Sequence, residues 1–436
     1  MPDGNGGKSA DAGVPAWYAW TAVVAMFLLP FPGLSAAVCG HWLASCLSPG
    51  EWLLLPLGVL SLILGLQALW RIPGRALLPA WMSAAAPGVL WIAAETLAML
   101  KNGLGETGGC LAFAWTVRLV FPILVFLPLL GNLEWRDRLY RALAGGMLAN
   151  FALISYDLLF SGARRFDAVD FGRSGFLASQ HDYGLFLALA LPLLAGWRGG
   201  AAARRPVLAM LCCMFLLPAL TLGTLFSGGL LLAASAGLAV AWAAWRGHAW
   251  ILGIFLVMLV FGYGSGGQGA RDRDRGQRVL LASSMGLANP GGGLSPRAAG
   301  FDQALAAFVE RPFLGLGHDA FFAPPGEQGL GAPAWYASLL GASGLAGLLM
   351  WLALLAELLG RAMGRREGRG CRNAGGVAGA AVALAAAGVW TDVLPPGAGA
   401  LVGFLLALSM LDGSGEEETP PRRRRRAPDS HSARSR

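Results

Sequence analysis

The chain has 436 residues, of which 56% are hydrophobic and 13% charged, and its mean hydropathy is +0.56. Average soluble chains carry roughly 25% charged residues, so a single water-soluble core is excluded and a polytopic membrane protein is expected. The net charge of +8 sits in short basic clusters between apolar runs and in the tail, which is the pattern of membrane topology rather than of a nucleic-acid face.

Residues 1–16 hold Gly4, Gly6 and Gly7 and read as a disordered tail ahead of a retained first helix. Gly6-Gly7-Lys8-Ser9 imitates the end of a phosphate-binding loop, but Pro2 stands where the first glycine is required and no strand precedes it. Crossing a bilayer takes about 20 mainly apolar residues. Such runs lie near 17–38, 52–69, 77–100, 111–132, 142–160, 180–197, 206–223, 226–245, 249–264, 334–359, 375–393 and 395–412. The expectation is an all-α transmembrane bundle of about 12 spans over 17–412, ending in a basic disordered tail, 413–436. The ninth run is short, and only Asp392 and the Pro395-Pro396 turn divide the last two, so ten or eleven spans with a re-entrant hairpin stay open.

Loops rich in arginine remain cytoplasmic. Arg71 and Arg75, then Arg136, Arg138 and Arg141, then Arg198, Arg204 and Arg205, then Arg246, and finally Arg361 through Arg372 all fall in even-numbered connections. Both termini are therefore expected in the cytoplasm, and 39–51, 161–179 and 265–333 on the outer side. That side holds Cys39, Cys46 and Cys110, which permits a disulfide between two of them. The loop 265–333, about 69 residues, contains a helix-like segment from Gly300 to Val309 closed by Arg311-Pro312. A loop of that length without a function is uncommon.

Ionisable residues inside spans are costly and so are candidates for function. Glu95 and Arg118 lie on consecutive antiparallel spans at similar depth, which makes them a possible intramembrane pair, with a role in binding as the alternative. On the outer loops, Arg164, Arg165, Arg173, Arg297 and Arg311 stand where positive charge is normally depleted. A phosphate-bearing ligand would account for them, and so would local pairing with Asp167, Asp170, Asp302 and Glu310. His181-Asp182 opens the sixth span and His318-Asp319 follows Gly315-Leu316-Gly317, so each histidine is a candidate base, with helix capping or loop packing as the plainer reading. No nucleophile elbow, zinc-protease motif or carboxylate cluster suited to a divalent ion occurs, so any transfer chemistry is expected to be free of metal and cofactor.

Several segments resemble the O-antigen ligase and polymerase superfamily of bacterial membrane glycosyltransferases. Arg173-Ser174-Gly175-Phe176 leading to His181-Asp182 and a span that reaches Leu191-Pro192 is similar to one family pattern, and Phe226-Ser227-Gly228-Gly229 takes the place of its Ser-Arg-Gly motif. The more specific match is the helix Phe301 to Phe308 followed by Arg311-Pro312-Phe313-Leu314-Gly315-Leu316-Gly317 and Phe321, with Tyr336 to Gly347 resembling the start of the next span.

The resemblance implies transfer of glycan from an undecaprenyl-diphosphate carrier to an acceptor glycan or lipid at the periplasmic face of the inner membrane. Arginines would hold the diphosphate and a histidine would activate the acceptor hydroxyl. Here Arg173, Arg297 and Arg311 are the implied diphosphate ligands, and His318 and His181 the candidate catalytic bases; membrane lipids, but no nucleic acid, are expected partners. Three positions depart from the family pattern. Pro333-Ala334 replaces His-Asn, Ala342 replaces a glutamate, and Gly228 replaces the arginine of Ser-Arg-Gly. A relative that binds lipid-linked glycan without turnover, and a polysaccharide transporter, are the alternative readings.

Overall fold

A computed structural model describes residues 14–31, 47–71, 77–101, 106–160, 180–197, 296–317, 335–364, 374–388 and 394–411. The described residues form eleven helices: α1 (Ala16–Leu28), α2 (Pro49–Arg71), α3 (Leu77–Lys101), α4 (Glu106–Leu130), α5 (Leu133–Phe160), α6 (Gln180–Gly196), α7 (Pro296–Glu310), α8 (Trp335–Ala342), α9 (Gly344–Gly364), α10 (Ala374–Ala387) and α11 (Ala398–Leu411). The predicted spans over 206–264 lie outside the described residues. Two stretches, Ala112–Leu130 and Gly344–Ala362, are long and apolar enough to cross a membrane.

Several predicted boundaries hold to within a few residues, and the departures have identifiable causes. The run expected at 142–160 begins at Leu133, because Asn132 Oδ1 accepts the Glu134 and Trp135 amides at 2.9 and 3.4 Å and caps α5 ahead of the apolar stretch. The single span expected at 334–359 is broken into α8 and α9 at Ser343-Gly344, where Gly344 adopts φ +65°. The last helices, α10 and α11, have only 14 residues each, about 21 Å at 1.5 Å per residue, which is shorter than a hydrocarbon core of about 30 Å.

Side-chain contacts sort the helix ends into two sets. Trp20 near the start of α1 meets Trp135 near the start of α5, and Trp197 after α6 donates to Asp137 at 2.9 Å and stacks on Tyr140. Gly376, starting α10, lies against Gly196 and the Pro192 carbonyl at the end of α6. Gathered at the opposite end are the close of α3, where Gly317 approaches Ala98 and Met99, the α8–α9 break, and Tyr336 against Gly388 after α10. Helices α3 and α9 run antiparallel between the two, with Trp91 on Trp351 and Gly88 facing Leu354.

The core is aliphatic with two aromatic clusters. Trp91, Trp115, Trp335 and Trp351 join α3, α4, α8 and α9 with ring centroids 5.0–5.7 Å apart. Phe126, Phe404 and Tyr140 join α4, α11 and α5. Large apolar side chains also face outward, Val59 and Ile63 on α2, Leu90 and Leu97 on α3, Leu349 and Leu352 on α9, while Glu51, Glu95 and Arg118 are buried. Leucines outside and charges inside invert the soluble pattern and match the bilayer one.

The tightest helix pair is α4 with α11, and small residues set it. Gly399 and Gly403, four apart, back onto α4: a Cβ at Gly399 would lie 2.8 Å from Arg118 Cδ, and one at Gly403 would lie 2.9 Å from Pro122 and 2.5 Å from the Arg118 carbonyl. Pro122 has no N–H to give that carbonyl one turn back, so the Gly403 backbone closes over a helix position where the ladder is interrupted. Gly403→Leu is expected to lower unfolding stability in detergent by about 1–3 kcal/mol through overpacking, whereas Gly360→Ala, with open space around the added methyl, should leave the melting midpoint unchanged or slightly raised; thermal unfolding of the two purified variants checks both.

Candidate functional site

Two polar centres stand out against the apolar core. The first is built on α2. The sequence Ser48-Pro49-Gly50-Glu51 ahead of an apolar run is a capping box, and it forms: Ser48 Oγ accepts the Glu51 amide at 3.3 Å, while Glu51 Oε2 accepts the Ser48 amide at 2.7 Å. Pro49 takes the first helical position, where a missing N–H costs nothing. Close packing of α2 on α1 requires Gly50, whose Cβ would lie 2.5 Å from the Ala25 carbonyl.

The other oxygen of Glu51 reaches across the bundle. Oε1 accepts Nε of Arg118 at 3.2 Å and the backbone N–H of Gly397 at 2.8 Å, and Arg118 Nη1 donates to the Leu394 carbonyl at 2.8 Å. Arg118 is 4% exposed and Glu51 fully buried. One carboxylate and one guanidinium thus join the N-terminus of α2, the middle of α4 and the turn Leu394–Gly397 before α11. Gly397, at φ +81°, is held where a side chain would strike the Leu29 carbonyl at the end of α1. The sequence reading paired Arg118 with Glu95; the structure gives Arg118 a bonded carboxylate in Glu51, which that reading placed at the end of an outer loop.

Glu95 belongs to the second centre. It is fully buried on α3, one turn from Trp91 and one turn from Met99, and a Cβ at Gly347 would lie 3.7 Å from its Oε1. Above it docks the segment Arg311–Gly317. Gly315 and Gly317 adopt φ +62° and +85°, and the strap they shape bonds along the α8–α9 break: Leu316 and Gly317 donate to the carbonyls of Gly341 and Ala342 at 3.0 and 2.7 Å. In return Leu345 and Ala346, at the start of α9, donate to the carbonyls of Pro312 and Phe313 at 2.8 and 3.2 Å. Backbone carbonyls therefore replace a side-chain cap at the N-terminus of α9. Close approach and positive φ favour glycine at both positions: a Cβ at Gly315 would strike the Ala342 carbonyl, and one at Gly317 would lie 3.3 Å from Met99 Cα. Ala342 is fully buried beneath this strap.

Of the predicted site residues, Arg311 is half-buried at the root of the strap, its amide bonded to the Ala307 carbonyl at 3.0 Å where Pro312 ends α7. Arg297 falls in the first turn of α7 and His181 in the first turn of α6. Arg173 and His318 lie outside the described residues, as do Cys39, Cys46 and the departures at Gly228 and Pro333-Ala334. Sequence reasoning missed Glu51 and Gly397, although Ser48-x-x-Glu51 was a readable signal.

Comparison with known proteins found no family model that matches the chain and no curated protein that matches it.

Removing one partner of a buried ion pair leaves an uncompensated charge and costs about 3–5 kcal/mol. Arg118→Met is therefore expected to be severely destabilising, and Glu51→Gln combined with Arg118→Met less so than the sum of the single changes; thermal melts of the four proteins in one detergent measure that coupling. Gly315→Ala should detach the strap, which limited proteolysis near 312–317 would report as faster cleavage than in the parent chain.

Proposed function

We infer that the chain is an integral membrane glycan transferase of envelope polysaccharide assembly, a bundle of about twelve spans in the bacterial inner membrane with both termini cytoplasmic. It works at the outer face on undecaprenyl-diphosphate-linked saccharide without metal or cofactor. The observation that carries this reading is the strap Arg311–Gly317, the segment with the most specific resemblance to the ligase and polymerase superfamily, seated on the α8–α9 break with a positive φ at each of its two glycines. Supporting it, the helix ends beside the arginine-poor connections 312–317, 343–344 and 388–397 gather at one end of the bundle, and the apolar belt and buried charges fit a lipid surround.

In this reading the acceptor hydroxyl oxygen attacks the anomeric carbon, the bond to the carrier diphosphate breaks, and the proton passes to a neutral imidazole, His318 or His181. Arg173, Arg297 and Arg311 stabilise the charge that grows on the leaving diphosphate. The loss of the family histidine, glutamate and arginine positions leaves a non-catalytic glycan-binding relative as the closest alternative. A second reading, transport of polysaccharide or lipid-linked sugar, is favoured by one observation: the N-termini of α2 and α11 converge on a buried ion pair, the arrangement by which broken helices surround charged groups in transporters.

Replacing Arg173 or Arg311 by alanine in the producing cell is expected to shorten or abolish surface glycan at normal protein level, measured by gel profile and immunoblot. Wild-type glycan from both variants rejects the transferase. Retained binding of lipid-linked glycan without product supports the non-catalytic relative, and movement of labelled glycan into vesicles supports transport.

A further inference from the structure

We propose that the bundle end formed by the starts of α1 and α5 carries a binding site for an anionic phospholipid headgroup, with Arg138 as its phosphate ligand. The proposal rests on the membrane reading above but not on glycan transfer. The Arg138 guanidinium lies over two indoles, 4.9 Å from the Trp20 ring centroid and 4.4 Å from that of Trp135, and the two rings stand edge to face at 5.7 Å. A guanidinium held over ring faces by cation–π attraction still has N–H groups to give to oxygen acceptors. Glu134, one turn earlier, takes a bond from Nη2; the guanidinium carries five N–H donors in all, and the side chain is 34% exposed.

The surroundings select a lipid rather than a dissolved anion. Trp17 and Trp20 are 58% and 51% exposed, and Leu133, two residues before Trp135, is 48% exposed, so this helix end carries apolar and amphipathic surface. Indoles placed at the end of a helix bundle beside cations are the chemistry of the membrane–water interface. Charge points the same way. Within 134–141 three arginines face two carboxylates; Arg141 is bound to Asp137 at 2.6 Å, and Arg136 makes no ion pair among the described residues. Arg138 is the phosphate ligand, Arg136 adds a second positive charge at the same helix end, and the exposed Trp17 and Trp20 offer apolar surface to the acyl chains.

The test uses the full chain in neutral detergent, titrated with phosphatidylglycerol or phosphatidylcholine and read by native mass spectrometry of retained lipid and by the melting midpoint. Phosphatidylglycerol is expected to bind more tightly and to raise the midpoint. Each arginine near an anionic surface is worth about fivefold in affinity, so Arg138→Gln and Arg136→Gln should each weaken phosphatidylglycerol by about that factor, while Lys101→Gln at the opposite end should not. Arg136→Gln touches neither indole nor carboxylate, so it stays informative if Arg138→Gln fails to fold. Equal affinity for the two lipids, unchanged affinity in Arg136→Gln, or the same rise in midpoint with inorganic phosphate alone overturns the proposal. None of these readouts involves glycan, so their failure is separable from failure of the transferase.

Discussion

The backbone between Leu394 and Gly397 is non-helical and enclosed by other helices, so its carbonyl and amide must be given partners from elsewhere in the bundle. A buried peptide group left without a hydrogen bond costs about 1–3 kcal/mol in protein and several in hydrocarbon. Arg118 and Glu51 supply those bonds, and the ion pair between them then offsets the cost of burying each charge. The pair is best understood as a mobile-free substitute for backbone: a guanidinium and a carboxylate doing for a broken helix what the next turn does for an intact one. Three other close approaches surround it. Gly397 on the end of α1 and Gly399 on the Arg118 side chain follow directly from the seating of the Leu394–Gly397 turn, and Gly50 brings the α2 end that carries Glu51 onto α1.

The strap at Arg311–Gly317 solves the same problem at the α8–α9 break. There the break between α8 and α9 exposes carbonyls at Gly341 and Ala342 and amides at Leu345 and Ala346, and the strap pairs with both sets using only its main chain. This explains why the motif is glycine-rich. Side chains at Gly315 and Gly317 would hold the strap away from the carbonyls it must reach. A motif that looks catalytic in sequence therefore has a complete structural reason to exist, and the chemistry proposed for it rests on Arg311 and the flanking residues rather than on the glycines.

Hydropathy made the helices legible because long apolar runs have few other stable forms in a chain with so little charge. Boundaries failed where main-chain bonding overrode composition: Asn132 starts α5 inside a polar stretch, and Gly344 breaks an unbroken apolar run because an outside strap caps α9. The site was legible only in part. Arg118 was visible as an intramembrane charge, and antiparallel depth suggested Glu95 beside it, but its bond to Glu51, a residue that doubles as a helix cap, had no such signal. A capping box reads as local, and nothing local in Ser48–Glu51 reveals that its second oxygen serves Gly397, 346 residues away. The described helix ends separate into two groups, through contacts such as Trp20 with Trp135 at one and Gly317 with Met99 at the other.

That separation bears on which function the fold can support. A transporter must let a polar path pass from one end to the other, and the described core between the two ends is closed by four tryptophans and by the Phe126–Phe404–Tyr140 cluster. Among the described residues the buried charges lie from mid-bundle toward one end, Glu95 on α3 near the strap and Glu51 with Arg118 at the seated turn. A transferase needs polar groups on one side only, above an apolar floor that keeps the carrier's tail in lipid. The described core thus presents a closed apolar layer, and the Glu51–Arg118 pair, by joining α2, α4 and the turn before α11, holds helices in place around it.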